Sequence, residues 1–182
     1  YLNSIVNEEI PLEKLIITKS LRSVYKNPES IAHKVLADRM AERDPGNKPS
    51  SGSRIPFVYF QTKGEVKLQG DRIETPDFVR KHGLKPDYTH YITNQLMKPL
   101  FQVFGLVLDR IPEYKYRLSH YHNSIGVLRE KYAGQPKKLK SKTSEFKNKE
   151  VKKLIFSEAL RRSNNLKNNE QCIESFFRPV KR

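Results

Sequence analysis

A helix that must stop and turn into a strand constrains this chain more than any other feature. Within Ile31–Phe60, Ile31, Ala32, Val35, Leu36 and Met40 recur at helical spacing, followed by Arg43-Asp44-Pro45-Gly46, a loop, and Arg54-Ile55-Pro56-Phe57-Val58-Tyr59-Phe60. Asn27 precedes Pro28, whose missing N–H costs nothing at a first helical position, so the helix is predicted to start there with Asn27 as N-cap. Pro45 presets φ for the second residue of a turn and Gly46 suits the positive φ of a type II turn, so the helix is predicted to stop there. Arg39, Arg43, Lys48 and Arg54 flank the joint, against Asp38, Glu42 and Asp44. Cations beside exposed backbone amides suit phosphate.

The other elements follow from pattern and punctuation. Leu2, Ile5 and Val6 share a helical face ended by Pro11, and the β-branched run Leu15-Ile16-Ile17, closed by Thr18-Lys19, predicts a strand. Residues 58–68 predict two strands around Lys63-Gly64, a hairpin connection. Thr75-Pro76-Asp77 predicts a capped short helix that Gly83 stops, and Asp87 caps a helix over 88–108 with Tyr91, Ile92, Leu96, Leu100, Val103, Phe104 and Val107 buried and a kink at Pro99. Leu118, Tyr121, Ile125, Leu128 and Tyr132 predict an amphipathic helix. Ala133–Lys149 is polar and basic and predicts a linker or a strand-tracking arm whose partner is phosphate; Glu150–Arg162 resumes helical patterning until the Asn164-Asn165 and Asn168-Asn169 pairs. The expected fold is mainly α with a small β hairpin or sheet, an α+β chain.

Charge bounds the partners. Thirty-five lysines and arginines against 20 acids give a formal +15, and such an excess points to an anionic polymer or surface, with nucleic acid ahead of an acidic membrane. Residues 129–182 hold sixteen of those cations against six glutamates. One cysteine, Cys172, excludes an internal disulfide and multi-cysteine zinc patterns, which fits a reducing intracellular compartment. No apolar run approaches the roughly 20 residues that span a bilayer. Tyr1 in place of an initiator Met, with no signal peptide before the fold, leads to the expectation that the chain begins mid-protein.

The run Lys34-Val35-Leu36-Ala37-Asp38-Arg39-Met40-Ala41-Glu42-Arg43-Asp44-Pro45-Gly46, followed by Gly52-Ser53-Arg54-Ile55-Pro56-Phe57-Val58, resembles the thumb region of family B DNA polymerases of the eukaryotic delta-like and large-virus type. Leu15-Ile16-Ile17-Thr18-Lys19-Ser20-Leu21 is similar to the segment entering that thumb, and Tyr91-Ile92-Thr93-Asn94-Gln95-Leu96-Met97-Lys98-Pro99-Leu100 to its late helix. The resemblance covers about Leu12–Leu108. It implies residues 1–12 as the tail of a palm-to-thumb connecting helix, 13–132 as the thumb, 133–169 as a basic linker and helix, and 170–182 as a clamp-binding peptide. It also implies a role: gripping primer–template duplex by phosphate backbone and minor groove, with sequence-tolerant contacts. Lys19, Lys34, Arg39, Arg43, Lys48, Arg54, Lys63 and Lys67 are the candidate DNA-facing cations; each also reads as an ordinary solvated charge, and Arg39 as a partner of nearby carboxylates.

The last residues resemble the PCNA-interacting motif of sliding-clamp partners, with Glu170, Ile173, Phe176 and Phe177 as candidate clamp contacts. Glu170 stands where that motif has Gln, and Gln171 lies one place late. The competing reading folds both phenylalanines back onto the domain. His120 and His122 lack a third ligand and make a poor metal site, and Tyr114, Tyr116, Tyr121 and Tyr132 read as base-stacking, core or surface-exposed residues. Two-metal phosphoryl transfer needs converging aspartates, and neither Asp-x-Asp nor a Gly-rich phosphate loop occurs, so no residue is assigned a catalytic or metal-binding role. The resemblance puts Mg²⁺ in a palm outside this sequence, as part of a larger nucleotidyltransferase with fingers and exonuclease. It implies work in a nucleus or a cytoplasmic viral replication site, the missing Cys-rich tail favouring a virus. Two readings compete: a stand-alone basic nucleic-acid-binding adaptor that recruits a sliding clamp, and an interaction domain whose basicity serves solubility.

Overall fold

The structure is a computed structural model that describes residues 1–62 and 66–167. In chain order its elements are α1 (Leu2–Val6), β1 (Ile17–Ser20), α2 (Ala32–Arg43), β2 (Arg54–Tyr59), β3 (Ile73–Glu74), α3 (Pro76–Lys81), α4 (Tyr88–His90), α5 (Lys98–Val107), α6 (Leu118–Lys131), α7 (Pro136–Val151) and α8 (Ser157–Lys167). They form two compact units, one of Asn7–Tyr91 and the other of Tyr1–Val6 with Ile92 onward. The α+β expectation holds, since helices dominate and three antiparallel strands in the order β1-β2-β3 make the sheet.

In the Asn7–Tyr91 unit β2 is central. Ile17 pairs with Phe57 and Ser20 with Arg54 on one side, and Val58 pairs with Glu74 and Tyr59 with Ile73 on the other. Ile55, Phe57, Val58 and Tyr59 are all buried, with α2 and α3 packed against β2. The Tyr91 phenol, held above its ordinary pKa by burial, donates to the Leu15 carbonyl at 2.7 Å and accepts from the Tyr59 N–H at 3.0 Å. His90 stacks on Tyr59 at 3.7 Å between ring centroids.

Several local expectations change here. Pro28 opens a separate 3₁₀ turn over Pro28–Ser30, the Asn27 side chain caps nothing, and α2 starts after the extended Ile31. Pro45–Asn47 is another 3₁₀ turn, so Gly46 adopts no positive φ; the glycine that needs one is Gly52, at +86°. Residues 66–68, the described part of the strand expected after Lys63-Gly64, form no strand and lead into a 3₁₀ turn over Gln69–Arg72 and then β3; residues 63–65 lie outside the described residues. The caps hold as expected: Thr75 Oγ1 accepts from the Phe78 N–H and Asp87 Oδ1 from the His90 N–H.

The second unit is helical. Tyr91–Met97 is π-helix, and α5 begins immediately before Pro99, where the backbone ladder changes register. That change rotates the downstream face, so Val103 and Val107, expected in the core, are exposed, while Gly105 and Leu108 are buried. The expected linker over 133–149 is instead α7, because lysine is a good helix former and Leu139, Phe146, Glu150 and Val151 supply an inward stripe. Asn164 and Asn165 do not break α8. Tyr114 and Tyr121 take the core fate, 6.2 Å apart edge to face, and Phe156 packs edge to face on Phe101.

Candidate nucleic-acid interface

The sheet register brings Lys19 and Arg54 to the same end of the β1–β2 pair, because Lys19 faces Ile55 and Ser20 faces Arg54. Beyond the paired residues the Leu21 N–H donates to the Ser53 carbonyl and the Gly52 N–H to the Leu21 carbonyl, each at 2.9 Å, which folds the 48–53 loop back toward β1. Leu21–Ser23, the Lys34–Asp38 side of α2 and Lys48–Ser51 then enclose a cleft of about 170 Å³. Three cations line it, Arg22, Lys34 and Lys48, together with Ser23, Ser50, Ser51 and the single acid Asp38. Lys34 pairs with Asp38. Small hydroxyls, cations and loop backbone make an environment suited to an oxyanion.

The local field is positive. The Arg22 N–H donates to Tyr25 Oη at 2.8 Å, and Tyr25 Oη lies 3.1 Å from His33 Nε2. Burial, aided by the charges of Lys19 and Arg22, pushes the His33 pKa below its ordinary value. Arg22 was missed from the sequence, though its place three residues after Lys19 was a readable signal.

Two of the sequence candidates, Arg39 and Arg43, have a structural role in the fold, the carboxylate pairing that the sequence also offered for Arg39. Glu74 is 2% exposed, and a buried carboxylate demands compensation. Arg39 Nη1 donates to Glu74 Oε1 at 2.8 Å, and Arg43 donates to both carboxylate oxygens at 2.6 and 3.1 Å. Arg39 also donates to the carbonyls of Gly70 and Ile73, and Arg43 lies 3.9 Å over the Phe78 ring. The bond to Glu74 raises the Arg43 pKa further. Thus Lys34 and Lys48 line the cleft and Lys19 and Arg54 sit at the adjoining sheet end, whereas Arg39 and Arg43 are bound inward. Lys67 is exposed and does not line the cleft; Lys63 lies outside the described residues. So do all four candidate clamp contacts, Glu170, Ile173, Phe176 and Phe177.

The helical unit carries the larger surplus. Residues 92–167 hold seventeen lysines and arginines against six acids, a net +11, while residues 7–91 hold fifteen against twelve, a net +3. Glu150, 2% exposed, accepts from Tyr114 Oη at 2.9 Å and pairs with Arg117 and Lys153, each at 3.1 Å. Burial works to raise its pKa, but the bonds from Lys153 and Tyr114 and the charge of Arg117 prevail and hold it below the ordinary value. His120 and His122 are exposed on α6, and no group of three metal-ligating side chains occurs among the described residues. No helix among the described residues is long and apolar enough to cross a membrane.

The family model for DNA polymerase family B matches residues 1–107. Over 178 residues, 97% of this chain, the sequence is 43% identical to a DNA polymerase of Pyramimonas orientalis virus. It is 50% identical over 113 residues to a DNA polymerase of Acanthamoeba polyphaga mimivirus and 37% identical over 108 residues to the DNA polymerase delta catalytic subunit of Caenorhabditis elegans, each match covering 59% of this chain. The chain spans only 15%, 6% and 10% of those three proteins.

Proposed function

The chain belongs to DNA polymerase family B, and from that premise we propose that it is the C-terminal thumb of a DNA-directed DNA polymerase, holding primer–template duplex as it leaves the active site. The observation that carries this reading is the cleft where Arg22, Lys34 and Lys48 converge on small hydroxyls at the end of the β1–β2 sheet. A backbone phosphate seated there is read by charge and not by base identity, which suits a grip on every sequence the enzyme copies. The +11 of residues 92–167 adds attraction that does not depend on register. Nucleotide addition and its Mg²⁺ belong, in this reading, to the palm of the parent polymerase, acting in a nucleus or a cytoplasmic viral replication site.

Fluorescence anisotropy of the full chain with a labelled duplex tests the grip. Affinity is expected to fall steeply between about 50 and 200 mM salt, and R22E/K48E to weaken binding about tenfold at low salt and shallow the salt slope by about two phosphate contacts. A K81E control on α3 should move it far less. Salt-independent binding, or equal effects of both variants, overturns the assignment.

The segment Glu170–Phe177 is proposed as a sliding-clamp-binding peptide that confers processivity. Alanine at Ile173, Phe176 and Phe177 in the parent polymerase should abolish clamp-stimulated synthesis and spare distributive synthesis on short primers. Equal loss in both assays points to a folding role instead.

A further inference from the structure

The duplex grip leaves one prominent feature of the helical unit without a role. Between α5 and α7 runs a groove of about 630 Å³ whose apolar lining includes Phe101, Leu106 and Leu139. Leu106 is 77% exposed and Val103, on the same helix, 58%, an arrangement that leaves large apolar side chains in water. Gly105 lies at the base, with Lys147 Cβ at 3.8 Å from where a Cβ would stand, so the two helices approach closely and the groove lies open above them. Its rim carries Lys98, Lys140 and Lys147, and no acid lines it. The neighbouring groove between α6 and α7, about 480 Å³, differs: it includes Glu145, which pairs with Lys142 at 2.8 Å.

The apolar lining and the lysines beside it select different properties of one ligand. Phosphodiester backbone offers nothing to desolvate Phe101, Leu106 and Leu139, and a purely apolar segment leaves three rim ammoniums without counter-charge. A helix with an apolar stripe and acidic flanks satisfies both. From Lys98 to Leu106 the groove follows about 12 Å of helix axis, room for about two turns of a third helix. We propose that the α5–α7 groove docks an acidic amphipathic helix of a partner protein, in the helix-in-groove mode.

The test uses the full chain and, as probe, a fluorescein-labelled sixteen-residue peptide with leucines at positions i, i+3, i+4 and i+7 and glutamates on its other faces. Binding is expected and should weaken about tenfold or more with L106D or K140E/K147E, and hold with V127D in the neighbouring groove. Leu106 and Val127 are both exposed, so these variants keep the fold, and their circular dichroism melts should match the parent. A peptide of the same composition with its leucines dispersed should bind at least about tenfold more weakly. Equal binding of the dispersed peptide overturns the proposal, since charge alone then suffices. So does loss of duplex or single-stranded DNA binding in L106D equal to its loss of peptide binding, which makes the groove a nucleic-acid surface. Self-association abolished by L106D assigns the groove to a second copy. Peptide binding that appears only in an I173A/F176A/F177A chain assigns it to the chain's own terminal segment.

Discussion

In the Asn7–Tyr91 unit the buried Glu74 holds two arginines from α2, more than thirty residues away in sequence; in the helical unit the buried Glu150 holds Lys153, one turn along, with Arg117 and the Tyr114 hydroxyl. Each of these carboxylates lies where water is excluded and is surrounded by donors. The cost of desolvation is offset only while all partners stay. The difference lies in what remains for other work. Glu74 binds Arg39 and Arg43, cations that sequence alone assigns to DNA, in a unit with a net charge of only +3, whereas residues 92–167 of the helical unit keep a net +11 after their own pairing. The formal surplus of positive charge accordingly lies mainly in residues 92–167.

The comparison is broken most directly at Glu74. E74Q leaves two guanidiniums facing a neutral amide, and urea denaturation should register a loss of about 3 kcal/mol. A loss below about 1 kcal/mol means that water satisfies Arg39 and Arg43, which returns both to the DNA-facing set.

Glycines sharpen the contrast at the next size down. A Cβ at Gly70 meets Val35 Cβ at 2.7 Å, where the 69–72 turn presses on α2 and the Gly70 carbonyl accepts from Arg39. G70A is expected to destabilise by about 2 kcal/mol through overpacking, while G105A, with its nearest neighbour at 3.8 Å, should be neutral or stabilise α5 by up to about 1 kcal/mol. Similar losses in both variants, read from thermal melts, overturn the account of the α2 contact.

A smaller loss than at Gly70 is expected at Glu150. Its folded pKa lies below the unfolded one, so the unfolded chain binds more protons in acid; the carboxylate's contribution is full at neutral pH and is lost as pH falls from about 4.3 through the folded value. E150Q should cost about 1–2 kcal/mol at pH 7, and the gap from the parent should close in acid. A gap independent of pH locates the loss in packing.

Sequence determined the elements whose causes are local. Thr75 and Asp87 cap because a side-chain oxygen reaches an amide three residues on; the 118–131 helix follows from its apolar spacing; β2 follows from its β-rich run. The family, too, was legible in the serial order of its motifs. Tertiary structure decided the rest. Arg39 and Arg43 carry no local sign that a glutamate over thirty residues away will take them, Arg22 joins Lys34 and Lys48 only once β1, α2 and the 48–53 loop are packed, and Val103 and Val107 leave the core because a π-helical stretch rotates the face that periodicity assumes constant. Spacing along a chain reports neighbours within a turn or a strand; which charge meets which, and which face turns inward, is fixed by packing between segments distant in sequence.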